Sequence, residues 1–273
     1  LSKWSPFHGA LYAVVESAAK IVALGGDYRK TRLTLQEYFE KLGSNPKKWG
    51  KPVGALLGAF YAQVMLEIPA IGGKDSMSGT FKDLNVPPTL VSFAVNTVDA
   101  DRIVSQEFKK SGSKVVVIKA ERDDKELPDF CELKRNFEKV HELIEREVVL
   151  SSTAVRYGGI AASISRMCFG NKIGFKFDVS FDRRKLFTAD YGSIILEVGS
   201  EQDLAELMSG VDYEIIGMTQ QQQLIEIGEI AIELEAALTA WSQPLERIFP
   251  VRTEDNSDKL QNIYYDKRNV KKF

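Results

Sequence analysis

The sequence has few of the residues on which several protein classes depend. It contains two cysteines, Cys131 and Cys168, and two histidines, His8 and His141, among 273 residues. Such small numbers argue against a disulfide-built scaffold and a histidine-rich metal site, and they leave little room for a Ser–His–Asp triad. Neither cysteine has a second cysteine or a histidine at metal-ligand spacing, so we expect buried or free thiols in a cytoplasmic protein.

The sequence also lacks an excess of charge of one sign, and it lacks long apolar runs. Lysine and arginine total 36 against 38 aspartates and glutamates, which predicts no general attraction to nucleic acid or acidic membranes. The longest apolar stretch, residues 53–66, is interrupted by Gln63 and is too short to cross a bilayer. We therefore expect neither nucleic acid nor a membrane as a partner. The chain opens at Leu1, and we expect it to be a piece of a longer polypeptide.

Hydrophobic periodicity predicts alternating helices and strands, as in α/β or α+β proteins. A helix is predicted over residues 6–24, one or two helical turns over 33–42, and an apolar helix over 53–66 after Pro52. Glycines 50, 54 and 58 leave one face of that apolar helix bare, and we expect this face to lie close to a sheet. Strands are predicted over 68–71, 89–98 (buried), 114–120, 149–155, 173–179, 193–198 and 213–218. A hairpin is predicted over 223–232, and further helices are predicted over 137–148, 158–169, 201–208 and 234–249.

A glycine pair follows the strand predicted over 68–71. The segment reads Gly72, Gly73, Lys74, Asp75 and Ser76. Two glycines at a strand end let backbone N–H groups approach an anion, Lys74 adds a point charge suited to phosphate, and Ser76 adds a hydroxyl donor. It is not a Walker A loop, because Ile68 stands where a glycine is required and Asp75 follows the lysine. An anion site and a plain glycine turn are the two interpretations.

Polar residues elsewhere also allow two interpretations. Glu16 and Lys20 lie one helical turn apart, and we favour an i,i+4 ion pair over a carboxylate metal ligand. His8 at the head of the same helix is either an anion-binding or acid–base group or a capping residue. We expect His141, in a charged helical segment, to be solvated. The turn at residues 157–159 could present N–H groups to a phosphate, although a tight turn alone explains its glycines.

Five runs of sequence carry a family resemblance. They are HGALYAVVE, IPAIGGKDSMSGTF, VPPTLVSFAVNTV, YGGIAASISRMCFGNKIGFKFDV and LFTADYGSIILEV. In this order they resemble the second half of the synthetase core of phosphoribosylformylglycinamidine synthase, of the aminoimidazole ribonucleotide synthetase-like superfamily. The resemblance extends to about Thr253, and GGKDSMS followed by PPTLVSFAV is its most specific element.

The resemblance implies a two-domain architecture, α/β plus α+β. Residues 1–122 would be a partial N-terminal α/β domain without its opening strands, and residues 123–250 a complete C-terminal α+β domain. The charged segment 121–129 fits the join between them. Residues 251–273 would be a linker toward an absent glutaminase domain. The implied partners are that glutaminase domain and the first half of the core, in the same polypeptide.

The resemblance also implies a reaction. The family converts formylglycinamide ribonucleotide, glutamine and ATP to formylglycinamidine ribonucleotide in purine biosynthesis: ATP phosphorylates the substrate amide oxygen, and ammonia then displaces phosphate. ATP and Mg²⁺ are the implied cofactors of the full-length enzyme. Gly73 and Ser76 match positions that meet nucleotide and substrate. Lys74 stands where smaller family members carry an asparagine ligand for Mg²⁺ and long-chain members carry lysine, and we assign it to a phosphate contact. The family keeps its catalytic histidine in the first half, so we assign no catalytic residue here and expect this piece to be inactive alone.

The chain departs from the family at a second, auxiliary nucleotide site. Glu16 keeps one carboxylate of the family's magnesium site, but Lys20 stands where an asparagine ligand is expected. Ala154 replaces an aspartate ligand and Arg156 a serine. One carboxylate beside two cations does not suit Mg²⁺. We expect Lys20 and Arg156 to take the place of the metal charge, so that auxiliary ADP and Mg²⁺ are absent and Glu16 is at most a weak metal ligand. A bare anion on Arg156 is a variant of this expectation.

This degenerate auxiliary site comprises Glu16, Lys20, Arg156, Gly158 and Gly159. Its decay supports a second hypothesis, in which the chain is a non-catalytic, pseudo-symmetric scaffold that completes a partner half. A third hypothesis is another kinase of the same superfamily, such as a selenophosphate or thiamine-phosphate kinase. Those families carry an aspartate-rich N-terminal loop, which would have to precede Leu1.

Overall fold

The computed structural model describes residues 1–76 and 79–250. The chain forms two compact units, Leu1–Leu234 and a second that begins at Glu235. The helices are α1 (Pro6–Ala23), α2 (Pro46–Leu66), α3 (Phe130–Glu145), α4 (Gly159–Asn171), α5 (Leu204–Leu207) and α6 (Leu234–Glu246). The strands are β1 (Arg32–Tyr38), β2 (Ala70–Ser76), β3 (Thr80–Phe81), β4 (Leu84–Asn85), β5 (Thr89–Val95), β6 (Lys114–Ile118), β7 (Val149–Ala154), β8 (Gly174–Phe177), β9 (Ile194–Val198), β10 (Tyr213–Gln220), β11 (Leu224–Ile227) and β12 (Ile230–Glu233).

Helix α1 confirms the helix predicted over residues 6–24, and local sequence signals account for both of its ends. The Ser5 side chain caps it by accepting from the His8 N–H, and Pro6 occupies its first turn, where a missing N–H costs nothing. The chain leaves the helix at Leu24, before Gly25 at a φ of 105°. Its apolar side chains are buried in the larger of two core clusters, so α1 lies at the centre of the first unit.

Helix α2 differs from its prediction in two ways. It begins at Pro46, after the Asn45 cap, and it contains Pro52 instead of starting after it. The prediction was wrong because Asn45 and Pro46 form a stronger start signal than Pro52. The bare glycine face packs against another helix and not a sheet: a Cβ on Gly58 would lie 2.0 Å from the carbonyl oxygen of Phe7 on α1.

A three-stranded sheet has the order β2-β1-β5, with β1 parallel to β2 and antiparallel to β5. Strand β1 occupies residues predicted to be helical. That prediction was wrong because Leu33 and Leu35 alternate with Thr34 and Gln36, a period of two, and two neighbouring strands take up the backbone hydrogen bonds. Strand β5 is shorter than predicted and only partly buried, with Phe93 48% exposed.

A seven-stranded sheet has the order β12-β11-β8-β10-β6-β9-β7. Its strands, and helices α3 to α5, confirm the predicted elements, although several boundaries differ. The largest difference is at α3, which begins at Phe130 and not at residue 137, because the Asp129 side chain caps it there. The larger core cluster combines α1, α2 and α3 with residues of β6, β7 and β9, while α4 contributes to the second cluster. The sheet therefore separates two layers of helices, with α1 in one and α4 in the other.

The predicted domain boundary at residues 122 and 123 is not tested and stays a prediction. Within segment 121–129, Arg122 and Pro128 form an isolated antiparallel bridge, and the larger core cluster combines residues from both sides of the segment, such as Val15 and Phe137. The linker predicted over 251–273 lies outside the described residues. Among the residues that are described, no helix is long and apolar enough to cross a membrane.

Candidate functional site

The glycine-containing segment at residues 72–76 is extended, and this corrects the predicted turn. Strand β2 runs without interruption from Ala70 to Ser76 and pairs along β1 in parallel. It lies at the edge of the three-stranded sheet, and its residues are exposed except for the half-buried Ser76. Two consecutive glycines are typical of a turn, but here backbone hydrogen bonds to β1 keep Gly72 and Gly73 in an extended strand. The segment is thus an accessible edge and not a concave anion nest.

The two glycines have different roles. A Cβ on Gly73 would lie 2.4 Å from the backbone oxygen of Leu35, whereas a Cβ on Gly72 would meet nothing within 4 Å. Gly73 is therefore required by the close approach of β2 to β1. Gly72 is not required by the packing of the described residues, and the space beside it is open.

Strand alternation divides the predicted site residues between two faces. The register pairs Lys74 with Gln36 and Ser76 with Tyr38, and paired residues point to the same face of a sheet. The hydroxyl of Tyr38 donates to Oε1 of Gln36 at 2.9 Å. These four side chains form a polar group on the face turned away from α1, which we call the outer face. Asp75 points to the opposite, inner face.

The inner face holds a carboxyl group that the sequence analysis missed. Glu37 pairs with Asp75 in the register, is 2% exposed, and neither carboxylate oxygen has a hydrogen-bond partner among the described residues. Burial, and then the charge of Asp75, raises the pKa of Glu37 to about 7. Strand alternation from Leu33 and Leu35 would have placed Glu37 on the buried face, had the segment been recognised as a strand.

The outer face of the sheet is open and partly apolar. Phe93 and Val95 on β5 lie on it, 48% and 59% exposed, beside the polar group on β1 and β2. The inner face is covered by α1, where the Ser17 and Ser92 hydroxyl groups lie 2.8 Å apart. An uncovered sheet face with exposed aromatic and aliphatic side chains is typical of a contact surface.

A second group of polar residues lies along one stripe of α1. His8, Tyr12, Glu16 and Lys20 follow each other at intervals of four. The ion pair favoured for Glu16 is present, with Lys20 Nζ 2.6 Å from Oε1. His8 has a capping and packing role, since its Nδ1 lies 2.7 Å from Ser5 Oγ and its Nε2 lies 2.9 Å from the carbonyl oxygen of Lys125.

An aromatic cavity of about 480 Å³ lies at the N-terminal end of this stripe. It is lined by His8, Tyr12, Arg122, Tyr157 and Tyr191 among others. The guanidinium of Arg122 lies over the Tyr12 ring, 4.8 Å from its centroid, and the Tyr12 hydroxyl donates to the carbonyl oxygen of Glu126 at 2.7 Å. Burial is the main reason that the pKa of Tyr12 rises to about 12, so this phenol stays a neutral donor at physiological pH.

At the other end of the stripe, Lys20 lines a cavity together with Arg156. Arg156 follows β7, and Arg166 lies on α4 with its Nε and Nη2 buried and unpartnered among the described residues. Burial lowers the pKa of Arg166, the charge of Arg156 lowers it further, and the carboxylate of Glu16 raises it. Glu16, Arg156 and Arg166 therefore interact electrostatically. Sequence analysis found Glu16 and Arg156 but not Arg166, which carries no local signal.

Two N–H groups at the start of α4, those of Gly159 and Ala161, already have backbone partners. Gly158 and Gly159 adopt positive φ, 89° and 66°, and the Gly159 N–H donates to the Arg156 carbonyl oxygen at 2.8 Å. The Ala161 N–H donates to the carbonyl oxygen of Leu186 at 2.9 Å. A Cβ on Gly159 would lie 2.5 Å from that same oxygen. The tight-turn interpretation thus explains both glycines, and a phosphate contact at the turn stays a prediction.

Metal and thiol chemistry have little support in the described part of the chain. Residues 1–76 and 79–250 contain no group of three or more His, Cys, Asp or Glu side chains that could hold a metal ion. Cys131 is exposed and Cys168 is buried, and both are free. Burial raises the pKa of the Cys168 thiol, which keeps it protonated.

Comparison with known proteins finds relatives of this chain by sequence. No family model matches the chain. The phosphoribosylformylglycinamidine synthase subunit PurL of Thermus thermophilus is 22% identical over 274 residues, which cover 90% of this chain and 37% of that subunit. The chain thus spans little more than a third of the length of that relative, and the resemblance predicted from its motifs is confirmed.

Solved structures confirm the fold. PurL of Thermotoga maritima, in a complex with FGAR, matches with a TM-score of 0.68 at 12% identity, over 86% of this chain and 43% of that one. Thiamine monophosphate kinase of Aquifex aeolicus matches with a TM-score of 0.55 at 13% identity, over 81% of this chain and 80% of that one. The chain therefore has part of the aminoimidazole ribonucleotide synthetase-like fold.

Proposed function

We propose that this relative of phosphoribosylformylglycinamidine synthase is the second half of a synthetase core. The complete enzyme would convert formylglycinamide ribonucleotide, glutamine and ATP to formylglycinamidine ribonucleotide. The observation that carries the proposal is a sequence match over 90% of this chain to one PurL subunit, combined with an exposed β2 strand at the segment of strongest resemblance. In this proposal the chain supplies one wall of the site and no catalytic residue.

The chain's own contribution is to bind and orient phosphoryl groups. Lys74 on the outer face has no ion pair within the described residues, so its charge is available to a phosphate. Ser76, Gln36 and Tyr38 beside it supply hydroxyl and amide groups that hydrogen-bond to phosphate or ribose oxygens. Together they stabilise negative charge that develops when a phosphoryl group is transferred.

ATP and Mg²⁺ would bind the complete enzyme, but the described residues do not suit the metal. The exposed Asp75 carboxylate faces only the buried Glu37, whose pKa is raised to about 7, and the Glu16 carboxylate is engaged by Lys20 at 2.6 Å. A magnesium site uses several oxygen ligands in octahedral geometry. We therefore derive no step through Mg²⁺ from this chain, and its ligands are expected in the first half of the core.

The open outer face and the edge of β2 are the surfaces proposed to meet the first half of the core. Phe93 and Val95 would be buried there, and the Lys74 group would line the cleft between the halves. The glutaminase domain is the second proposed partner, and a cytoplasmic location remains a prediction. This arrangement explains why the segment of strongest resemblance is exposed in a chain that spans only part of its relatives.

Reconstitution tests the proposal. The chain alone, supplied with ammonia, ATP and formylglycinamide ribonucleotide, is expected to form no amidine, and a mixture with the first half of the same enzyme is expected to restore turnover. The measurement is formation of formylglycinamidine ribonucleotide. Turnover by the chain alone, or none by the mixture when both parts are folded, contradicts the proposal.

One observation favours the scaffold alternative: Lys20 engages the single carboxylate left at the auxiliary site. Replacing Ser76 by alanine in the complete enzyme separates the two functions. A binding wall predicts a raised KM for substrate or ATP, whereas a scaffold predicts unchanged KM values. The similarity to thiamine monophosphate kinase concerns the fold alone and does not favour kinase activity.

A further inference from the structure

Helix α2 presents its largest apolar side chains to solvent. The face that packs against α1 carries small buried residues, among them Ala55, Gly58 and Ala59. The opposite face carries six large apolar residues, each between 45% and 64% exposed: Trp49, Val53, Leu56, Leu57, Phe60 and Val64. We call these six residues the α2 stripe. A surface helix of a globular protein normally turns its large apolar side chains toward the core, so the α2 stripe indicates a partner outside the described residues.

The α2 stripe is continuous and carries no charge. Successive turns of an α-helix place its six residues within an arc of about 100° on one side of α2. The sequence contains no charged residue from Pro52 to Leu66. Applied to whole side-chain areas, the exposed fractions amount to about 600 Å² of apolar surface, which equals the largest patch that a typical monomer exposes.

The spacing of the α2 stripe is the same in both directions along the helix. From Trp49 to Val64 the intervals between stripe residues are 4, 3, 1, 3 and 4 positions. A two-fold axis that passes between Leu56 and Leu57 therefore maps the pattern onto itself. When two copies of α2 lie antiparallel about this axis, every stripe residue meets a stripe residue of the second copy. The opposed residues are Leu56 and Leu57, Val53 and Phe60, and Trp49 and Val64.

The opposed residues are also complementary in size. Phe60 and Trp49 each lie opposite a valine, and the two central residues are both leucines. A large side chain thus meets a small one in each outer pair, which lets the two helices keep an even separation along the whole stripe. This symmetry favours a second copy of the chain over an unrelated partner, because such a partner would not require the pattern to repeat in reverse.

Charges at the two ends of α2 favour the antiparallel direction. Glu67 follows the α2 stripe at its C-terminal end and would lie opposite Pro46, in the first turn of α2 of the second copy. A carboxylate is stabilised at the N-terminal end of a helix by the helix dipole. A parallel pair would instead bring together the two N-terminal ends, where Lys47, Lys48 and Lys51 repel their counterparts.

We propose that the α2 stripe is the interface between two copies of this chain, which pack antiparallel about a two-fold axis between Leu56 and Leu57. Such an interface uses the same surface on both copies, so association stops at the dimer. The two stripes together would bury about 1,200 Å², the lower end of the range for stable interfaces, and we expect a reversible dimer. The proposal does not rest on the proposed function, because the surface assigned to the first half of the core is the outer face of the three-stranded sheet.

Sedimentation equilibrium of the full chain, from about 1 to 100 μM, measures the association. A monomer–dimer equilibrium without larger species is expected. Phe60→Glu is expected to raise the dissociation constant at least about 100-fold, because it places a charge in the centre of the interface. Phe93→Glu, which changes an exposed phenylalanine on the outer face of the sheet, is the matched control and is expected to dimerise like the unchanged chain. A chain that stays monomeric, or a Phe60 variant that dimerises at least as tightly as the Phe93 variant, overturns the proposal.

Disulfide formation tests the antiparallel direction, in a Cys131→Ser background because Cys131 is exposed. Leu57→Cys lies beside the two-fold axis and is expected to form a linked dimer under mild oxidation. Val64→Cys lies 15 positions from Trp49, the residue that it opposes, so the two substituted positions are about 22 Å apart and are expected not to link. Failure of Leu57→Cys to link, or equal linking by both variants, contradicts the antiparallel arrangement.

Discussion

Two regions of the molecule hold an ionisable side chain whose buried polar atoms have no hydrogen-bond partner among the described residues, and the two side chains respond differently to burial. In the three-stranded sheet the group is the carboxyl of Glu37, whose pKa rises to about 7 because it is buried beside Asp75. In the layer of α4 it is the guanidinium of Arg166, which stays charged. A buried acid can take up a proton and become neutral, whereas an arginine keeps its charge at any physiological pH. The stability of the first region therefore depends on pH, whereas pH leaves the charge of the second region unchanged.

The largest expected effect is the pH dependence of stability that Glu37 contributes. The pKa of Glu37 is raised from 4.5 to about 7, so between these values the folded chain holds a proton that the unfolded chain has lost. Stability must then fall as pH rises through this window and level off above it. Glu37→Gln is expected to remove that fall, which amounts to about 3 kcal/mol.

Urea unfolding at pH 4.5 and pH 7.5 measures this difference. Glu145→Gln is the matched control, because Glu145 is exposed on α3 and is expected to leave the pH dependence unchanged. If the Glu37 variant retains the full dependence, the carboxyl is not neutralised by burial, and the contrast with Arg166 disappears.

A smaller effect separates structural from functional residues within β2. Gly73→Ala places a Cβ 2.4 Å from the backbone oxygen of Leu35, and we expect a loss of about 2 kcal/mol in the free energy of unfolding. Gly72→Ala, where the added Cβ meets no atom, is expected to change it by less than about 0.5 kcal/mol. Chemical denaturation of both variants is the measurement. Equal losses would show that the strand pairing does not distinguish the glycines.

Whether the sequence predicts a feature of these regions depends on how far apart along the chain the interacting residues lie. Helix α1 and the Glu16–Lys20 ion pair follow from local spacing, and both predictions are confirmed. Strand β1 was missed because seven residues of mixed polarity suit a helix or a strand until two neighbouring strands decide between them. The exposed location of Lys74 and the half-buried location of Ser76 depend likewise on which strand lies beside β2.

Long-range partners account for the remaining errors. His141 was expected to be solvated, but its Nδ1 lies 2.9 Å from the carbonyl oxygen of Gly25, a contact between residues far apart in the chain. Arg166 lies 150 positions after Glu16 and has no local pattern that points to it. Local periodicity predicts elements and faces, whereas buried charge clusters form only when distant elements pack together.

The arginine side of the comparison predicts a gain in stability. Arg166→Met removes a half-buried charge whose Nε and Nη2 have no hydrogen-bond partner among the described residues, and it keeps an unbranched apolar side chain. In urea unfolding at low ionic strength, the free energy of unfolding is therefore expected to rise by about 1 kcal/mol. Arg184→Met serves as the exposed control. A loss of stability would mean that Arg166 has a partner within the protein.

The smallest expected change in stability belongs to Lys74, whose charge on the outer face is exposed and not buried. Lys74→Ala is expected to alter the free energy of unfolding by less than about 0.5 kcal/mol, because the side chain has no partner among the described residues. In the complete enzyme the same variant is expected to lower kcat/KM for ATP or substrate about tenfold, which corresponds to one lost phosphate contact. Lys110→Ala, an exposed lysine far from β2, is the control for general charge effects. The measurements are steady-state kinetics and urea unfolding of both variants. If Lys74→Ala is as active as Lys110→Ala, Lys74 faces solvent and not a phosphorylated ligand.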